Sequence, residues 1–141
     1  MTSVFIKSES RYPIDRKEIR KKVKEILKQR KIVGEAEVSV IVAGDRKMKS
    51  LNKKYRGIER TTPVLAFPLE EFHHPRNKFG AGNDKRFPPP FSSPDDVLRL
   101  GDIVISYPQA VQLAIEEEKL VDKKINELVE HGMQKLLGSN F

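Results

Sequence analysis

The chain has no cysteine and no tryptophan, and only three histidines among its 141 residues. Without cysteine, disulfides and thiolate metal sites are excluded, which fits a reducing interior. No apolar run approaches the ~20 residues that a membrane-spanning helix needs, so no membrane partner is expected. The opening Met1-Thr-Ser-Val-Phe-Ile6 reads as a strand. It lacks both the basic start of a signal peptide and the Arg-rich pattern of a transit peptide. The length fits one domain, 1–141, with enough chain for a core that needs no covalent staples. A soluble, cytoplasmic protein without a nucleotide cofactor is the expectation.

Charge is what the chain has in excess. Charged residues make up 33% and the net charge is +7. Residues 11–31 hold ten Lys and Arg against three acids, and residues 45–60 hold seven against two. Residues 107–130 reverse the balance, with three against six. A basic N-terminal half beside a mildly acidic C-terminal region suits a polyanion. Arg20, Lys24, Lys28, Lys53 and Lys54 are the candidate RNA contacts; the plainer reading is a solvated, lysine-rich surface.

Residues 2–8 alternate weakly and predict a strand. Asp15 with Glu18 forms a capping-box pattern that opens a helix, with Ile19, Val23, Ile26 and Leu27 as its buried stripe and Gly34 as its end. Ala36 to Val42 predicts a strand, buried on both sides near its end. A second helix follows, capped by Asp45, carrying Met48, Leu51 and Tyr55 at helical spacing and stopped by Gly57. Val64–Pro68 is a short apolar strand, and Pro68 belongs at its end or at an edge. Leu100–Ser106 is another strand, residues 107–120 a helix, and Asp122 caps the last helix. Strands alternating with helices predict a layered sheet with helices packed on it.

Residues 71–97 stand apart, with five prolines and with Phe72, Phe79, Phe87 and Phe91 interleaved with Arg76, Lys78, Lys85 and Arg86. Such an insertion either packs its Phe residues back on the body or stacks single-stranded bases.

The last eleven residues, His131-Gly-Met-Gln-Lys-Leu-Leu-Gly-Ser-Asn-Phe141, follow an apolar helical pattern that Gly138 ends. A helix histidine has its natural metal partner one turn on, at i+4, where this chain has Lys135. His73 and His74 are the other two histidines.

Four segments then read together: Leu51-Asn52 with Tyr55-Arg56-Gly57; Thr62-Pro-Val-Leu-Ala-Phe-Pro68; Leu100-Gly-Asp-Ile-Val-Ile-Ser106; and the His131-Gly132 helix. In order, and over nearly the whole chain, they resemble the YbeY family of rRNA maturation endoribonucleases. The resemblance implies an α+β, zincin-like fold: a small mixed, mostly parallel four-stranded sheet with one antiparallel edge, covered by helices. It implies rRNA or the ribosome as partner, and single-strand-specific, metal-dependent cleavage. It also implies a zinc ion held by three histidines, at positions occupied here by His131, Lys135 and Phe141. A lysine ammonium is a poor zinc ligand and Phe has no ligand atom. His73, His74 and the terminal carboxylate are possible substitutes, and a metal relocated to His131, His73 or His74 and Asp102 is a further alternative. Pro63 and Ala66 stand where the family has Asp and Ser. Arg56 matches an arginine beside the family's active site, where a guanidinium can clamp phosphate. Two functions therefore stay open: the family's endoribonuclease, and an RNA- or ribosome-binding protein that has lost the zinc site.

Overall fold

Valines and alanines at every second position shape the centre of the molecule. In β2 (Glu35–Ala43), Ala36, Val38, Val40 and Val42 all turn inward and are at most 2% exposed. Burying each such valine contributes roughly 1.5–3 kcal/mol. The computed structural model describes residues 2–32, 34–68 and 97–138. His73, His74, Asn140, Phe141 and the expected insertion up to residue 96 lie outside them.

Among the described residues, four strands form one sheet in the order β1-β2-β4-β3. β1 (Thr2–Ser8) and β4 (Val97–Ser106) run parallel to β2, and β3 (Val64–Pro68) pairs with β4 antiparallel at the sheet's edge. The expected mostly parallel sheet with one antiparallel edge is the observed one. β4 begins at Val97, earlier than the apolar run alone suggested.

β4 carries a bulge. Glu37 pairs with Arg99, but Val38 pairs with Gly101, so Leu100 is an extra residue. Gly101 takes φ +134 there, a conformation that a side chain disfavours. The bulge changes the strand's phase. Before it, even-numbered Leu98 and Leu100 face the main core; after it, odd-numbered Ile103 and Ile105 do. The Leu-Gly-Asp sequence is thus the joint that lets one strand keep two apolar runs on one face.

Helices cover both faces unequally. α1 (Arg16–Gln29), α3 (Tyr107–Glu116) and α4 (Val121–Leu137) enclose the main core with Val38, Val40, Ile103 and Ile105. α2 (Asp45–Arg56) covers the other face over a smaller cluster of Ala43, Met48, Leu65 and Val104. Asp15 caps α1 by accepting from the Glu18 amide at 3.2 Å. α1 stops at Gln29, short of Gly34, where the Arg30 amide donates to the Ile26 carbonyl and the Lys31 amide to the Lys28 carbonyl, both at 3.0 Å. Two expected caps lie elsewhere. Gly44 is the N-cap of α2 and Leu120 that of α4, so Asp45 and Asp122 sit inside the first turn. Ser106 caps α3, accepting from the Gln109 amide at 3.2 Å.

Candidate active site and nucleic-acid interface

The edge strand β3 is the spine of the candidate site, because its alternating side chains meet a different helix on each side. Phe67 pairs with Asp102 and Ala66 with Ile103, so the two pairs face opposite ways. Ala66 and Ile103 face the main core and α4, whereas Phe67 faces α2.

On the α4 side the contact is very close. A Cβ placed on Gly132 would lie 2.7 Å from Ile103 Cγ2 and 3.0 Å from Cγ1. Ile103 is fully buried and branched at Cβ, so it has little room to yield. Glycine after His131 therefore lets α4 lie down on β4. With Gly132, Met133, Leu136 and Leu137 turned inward, His131 and Lys135 fall together on the exposed face, one turn apart.

The α2 side is polar and braced by non-local hydrogen bonds. Asp45 Oδ1 accepts from Ser106 Oγ at 2.7 Å and from Thr61 Oγ1 at 2.8 Å, and Oδ2 accepts from Gln109 Nε2 at 3.4 Å. Partial burial opposes charge on Asp45, but the donors Ser106, Thr61 and Gln109 outweigh it and hold the carboxyl below its ordinary range. Buried Asn52 donates from Nδ2 to the Arg60 carbonyl at 2.8 Å, and the Ser106 amide donates to the Pro63 carbonyl at 2.9 Å. The connection from α2 into β3 is thus pinned at Arg60, Thr61 and Pro63. It follows Gly57, which closes α2 in the left-handed conformation just after Arg56.

None of these bracing residues was singled out for this role from sequence. Ser106 and Gln109 did carry a local signal, the Ser-x-x-Gln capping pattern. The partners of Asp45 and Asn52 are distant in sequence or in loops, and periodicity does not reveal them.

The expected site residues divide between the two sides. Arg56 is exposed at the end of α2. His131 is exposed on α4, across the edge strand from it. Asp102 is exposed within β4 and shares Phe67's face, away from α4. Asp102 therefore lies on the face of β4 opposite the one on which α4 packs. Among the described residues, no three His, Cys, Asp or Glu side chains come together as a metal cage. One imidazole with a lysine at i+4 does not fit zinc's need for several neutral or anionic ligands.

Cations supply the rest of the surface. Arg20, Lys24 and Lys28 are exposed on α1 and line a shallow concavity with Lys17 and Lys21. Lys53 and Lys54 are exposed in the last turn of α2. Lys53 pairs with Glu59 at 3.2 Å, both side chains being well solvated, a pair of little energetic weight.

A family model described as Endoribonuclease YbeY matches residues 5–140 of the chain. Endoribonuclease YbeY of Dehalococcoides mccartyi is 38% identical over 103 residues, covering 73% of this chain and 56% of that protein. The protein of the same name from Moorella thermoacetica is 38% identical over 107 residues, covering 76% of this chain and 61% of that protein. The chain thus spans less than two thirds of the length of these two relatives. A second Dehalococcoides mccartyi protein of that name, from strain BAV1, is 32% identical over 136 residues, covering 96% of this chain and 81% of its own. The solution structure of TM1509 from Thermotoga maritima is similar at 26% identity with a TM-score of 0.55, covering 96% of this chain and 72% of that one.

Proposed function

The chain belongs to the YbeY endoribonuclease family, and on that premise we propose that it cleaves single-stranded RNA in rRNA maturation, with the RNA lying along the edge strand β3, which the end of α2 and α4 flank. The observation that carries this reading is the pairing of a packed scaffold with exposed polar groups. Gly132 seats the His131 helix against Ile103, while Asn52 and Asp45 brace the loop that follows Arg56. In this reading Arg56 clamps a phosphate and stabilises charge that develops on it during cleavage. His131 stands at the first of the three positions where the family resemblance places a zinc ligand. Arg20, Lys24, Lys28, Lys53 and Lys54 hold the flanking backbone of the RNA.

Metal dependence is the family's general property, and zinc is the ion the resemblance implies. The described residues supply one imidazole toward it, and His73 and His74 are the sequence's other histidines. A second reading has one observation in its favour. Lys135 occupies the face that His131 presents, and a cation there suits a phosphate better than a metal. On that reading the chain holds rRNA or the ribosome without cutting.

Incubating the whole chain with a structured rRNA fragment, with added zinc and with chelator, separates the two. The nuclease reading predicts cuts confined to unpaired segments, suppressed by chelator and abolished by Arg56→Ala and by His131→Ala. Salt-sensitive binding without cleavage, with His131→Ala silent, establishes the second reading instead. Neither cleavage nor binding would overturn both.

A further inference from the structure

Helical spacing groups Tyr55 with Met48 and Leu51, as the last member of the stripe that α2 buries. The structure departs from that pattern at its end. Met48 is fully buried, but Tyr55 is 53% exposed. Its ring is nevertheless held. Phe67, projecting from the edge strand, meets it edge-on, with centroids 5.0 Å apart and planes at 63°. This is a favourable aromatic geometry that fixes the ring's orientation while leaving much of its surface in water. Lys54 Nζ lies 5.2 Å from the ring centroid, within cation–π range. Arg56 follows directly, and among the described residues neither Lys54 nor Arg56 forms an ion pair with an acid.

We propose that Tyr55 is a stacking platform for one unpaired base of single-stranded RNA, with Lys54 and Arg56 holding the phosphates on either side of that nucleotide. The proposal rests on the RNA reading above and names a contact within it. An oriented aromatic ring, partly open to water and flanked by unpaired cations, matches the two chemical parts of a nucleotide. The ring takes the π-face of any base, and the cations take the backbone. In a duplex that face is already covered by neighbouring base pairs, so the platform selects single strands. Cations in a helix's last turn also complement its dipole. That accounts for Lys53, Lys54 and Arg56, but not for a half-exposed tyrosine braced by a strand residue.

The test uses the full chain and two labelled RNA 12-mers of equal charge, one of ordinary sequence and one with its central residues abasic. Wild type binds the ordinary strand. Tyr55→Ala weakens that binding about tenfold, the loss of one base stack, with the salt slope unchanged. Tyr55→Trp restores it. The abasic strand shows no difference between wild type and Tyr55→Ala. Because the chain has no tryptophan, Tyr55→Trp also reports alone by fluorescence, and its emission is quenched on binding. Equal affinity of wild type and Tyr55→Ala for the ordinary strand overturns the platform, as does a Tyr55→Trp protein that binds without quenching. Absence of any wild-type binding to RNA is a separate result and overturns the RNA reading itself.

Discussion

The two sides of β3 differ in how they are held. On the α4 side the seat is apolar and local in its logic. Ile103 and Gly132 meet with no space for a methyl group, and the polar residues His131 and Lys135 are left outside. On the α2 side the seat is polar and long-range. Asp45 gathers donors from the loop before β3 and from the start of α3, and Asn52 holds Arg60. The comparison separates residues that place the site from residues that would act in it. The placing residues are buried or half-buried on both sides. The acting ones, Arg56, Tyr55 and His131, are exposed.

The largest effect expected is on the apolar side. Gly132→Ala drives a methyl into Ile103 and destabilises the protein by about 1–3 kcal/mol. Thermal melts would check this, and the double variant with Ile103→Val should recover part of the loss. If Gly132→Ala melts like wild type, the close seat of α4 is wrong.

Asp45→Ala comes next, at about 1–2 kcal/mol, because it strands the fully buried Ser106 hydroxyl and frees the loop at Thr61. It also carries a pH signature. The folded carboxyl titrates below an unfolded aspartate's value of about 3.9. Its contribution is therefore fully present above that value and is lost as pH falls through the lower, folded one. The Asp45→Asn melt should fall less steeply than wild type below about pH 4. An unchanged acid profile would remove the argument that the donors favour the charged form.

Arg56→Ala should change stability by no more than about 0.5 kcal/mol, as an exposed helix-end residue, while lowering RNA affinity or cleavage. A large loss of stability would make Arg56 a structural residue and weaken its assignment. Smallest of all is Lys22→Ala, which breaks a partly exposed contact to Glu130 at 3.7 Å, for which about 0–0.5 kcal/mol is expected.

Much of the scaffold was legible in the sequence because it follows short-range rules. The strand alternation in 36–42, the Asp15 cap, the α1 stripe and the stops at Gly57 and Gly138 all came from local chemistry. The β4 bulge was not legible, because it breaks the alternation on which a strand reading depends. Leu98 with Leu100 and Ile103 with Ile105 look like two incompatible faces until Gly101 is seen to join them. Asp45 was mistaken for a cap for a similar reason. Its position one residue into α2 serves Ser106, sixty-one residues away, and not its own helix. Tyr55 shares helical spacing with Met48 and Leu51, but spacing cannot show that its ring is left half-exposed beside Phe67. The site's chemistry was legible only as residue types, Arg56, His131 and the clustered lysines. Their division between the two sides of one edge strand required the register.

The most direct test is where RNA touches the chain. Single-stranded RNA carrying photoreactive uridines would be crosslinked to the whole protein and the attached peptides identified. RNA lying along β3 predicts adducts in residues 53–68 and on α4 around 131–135, with additional ones on the basic face of α1. Adducts confined to α1, with none on α2, β3 or α4, would contradict it and reduce the RNA contact to a charged surface remote from the site.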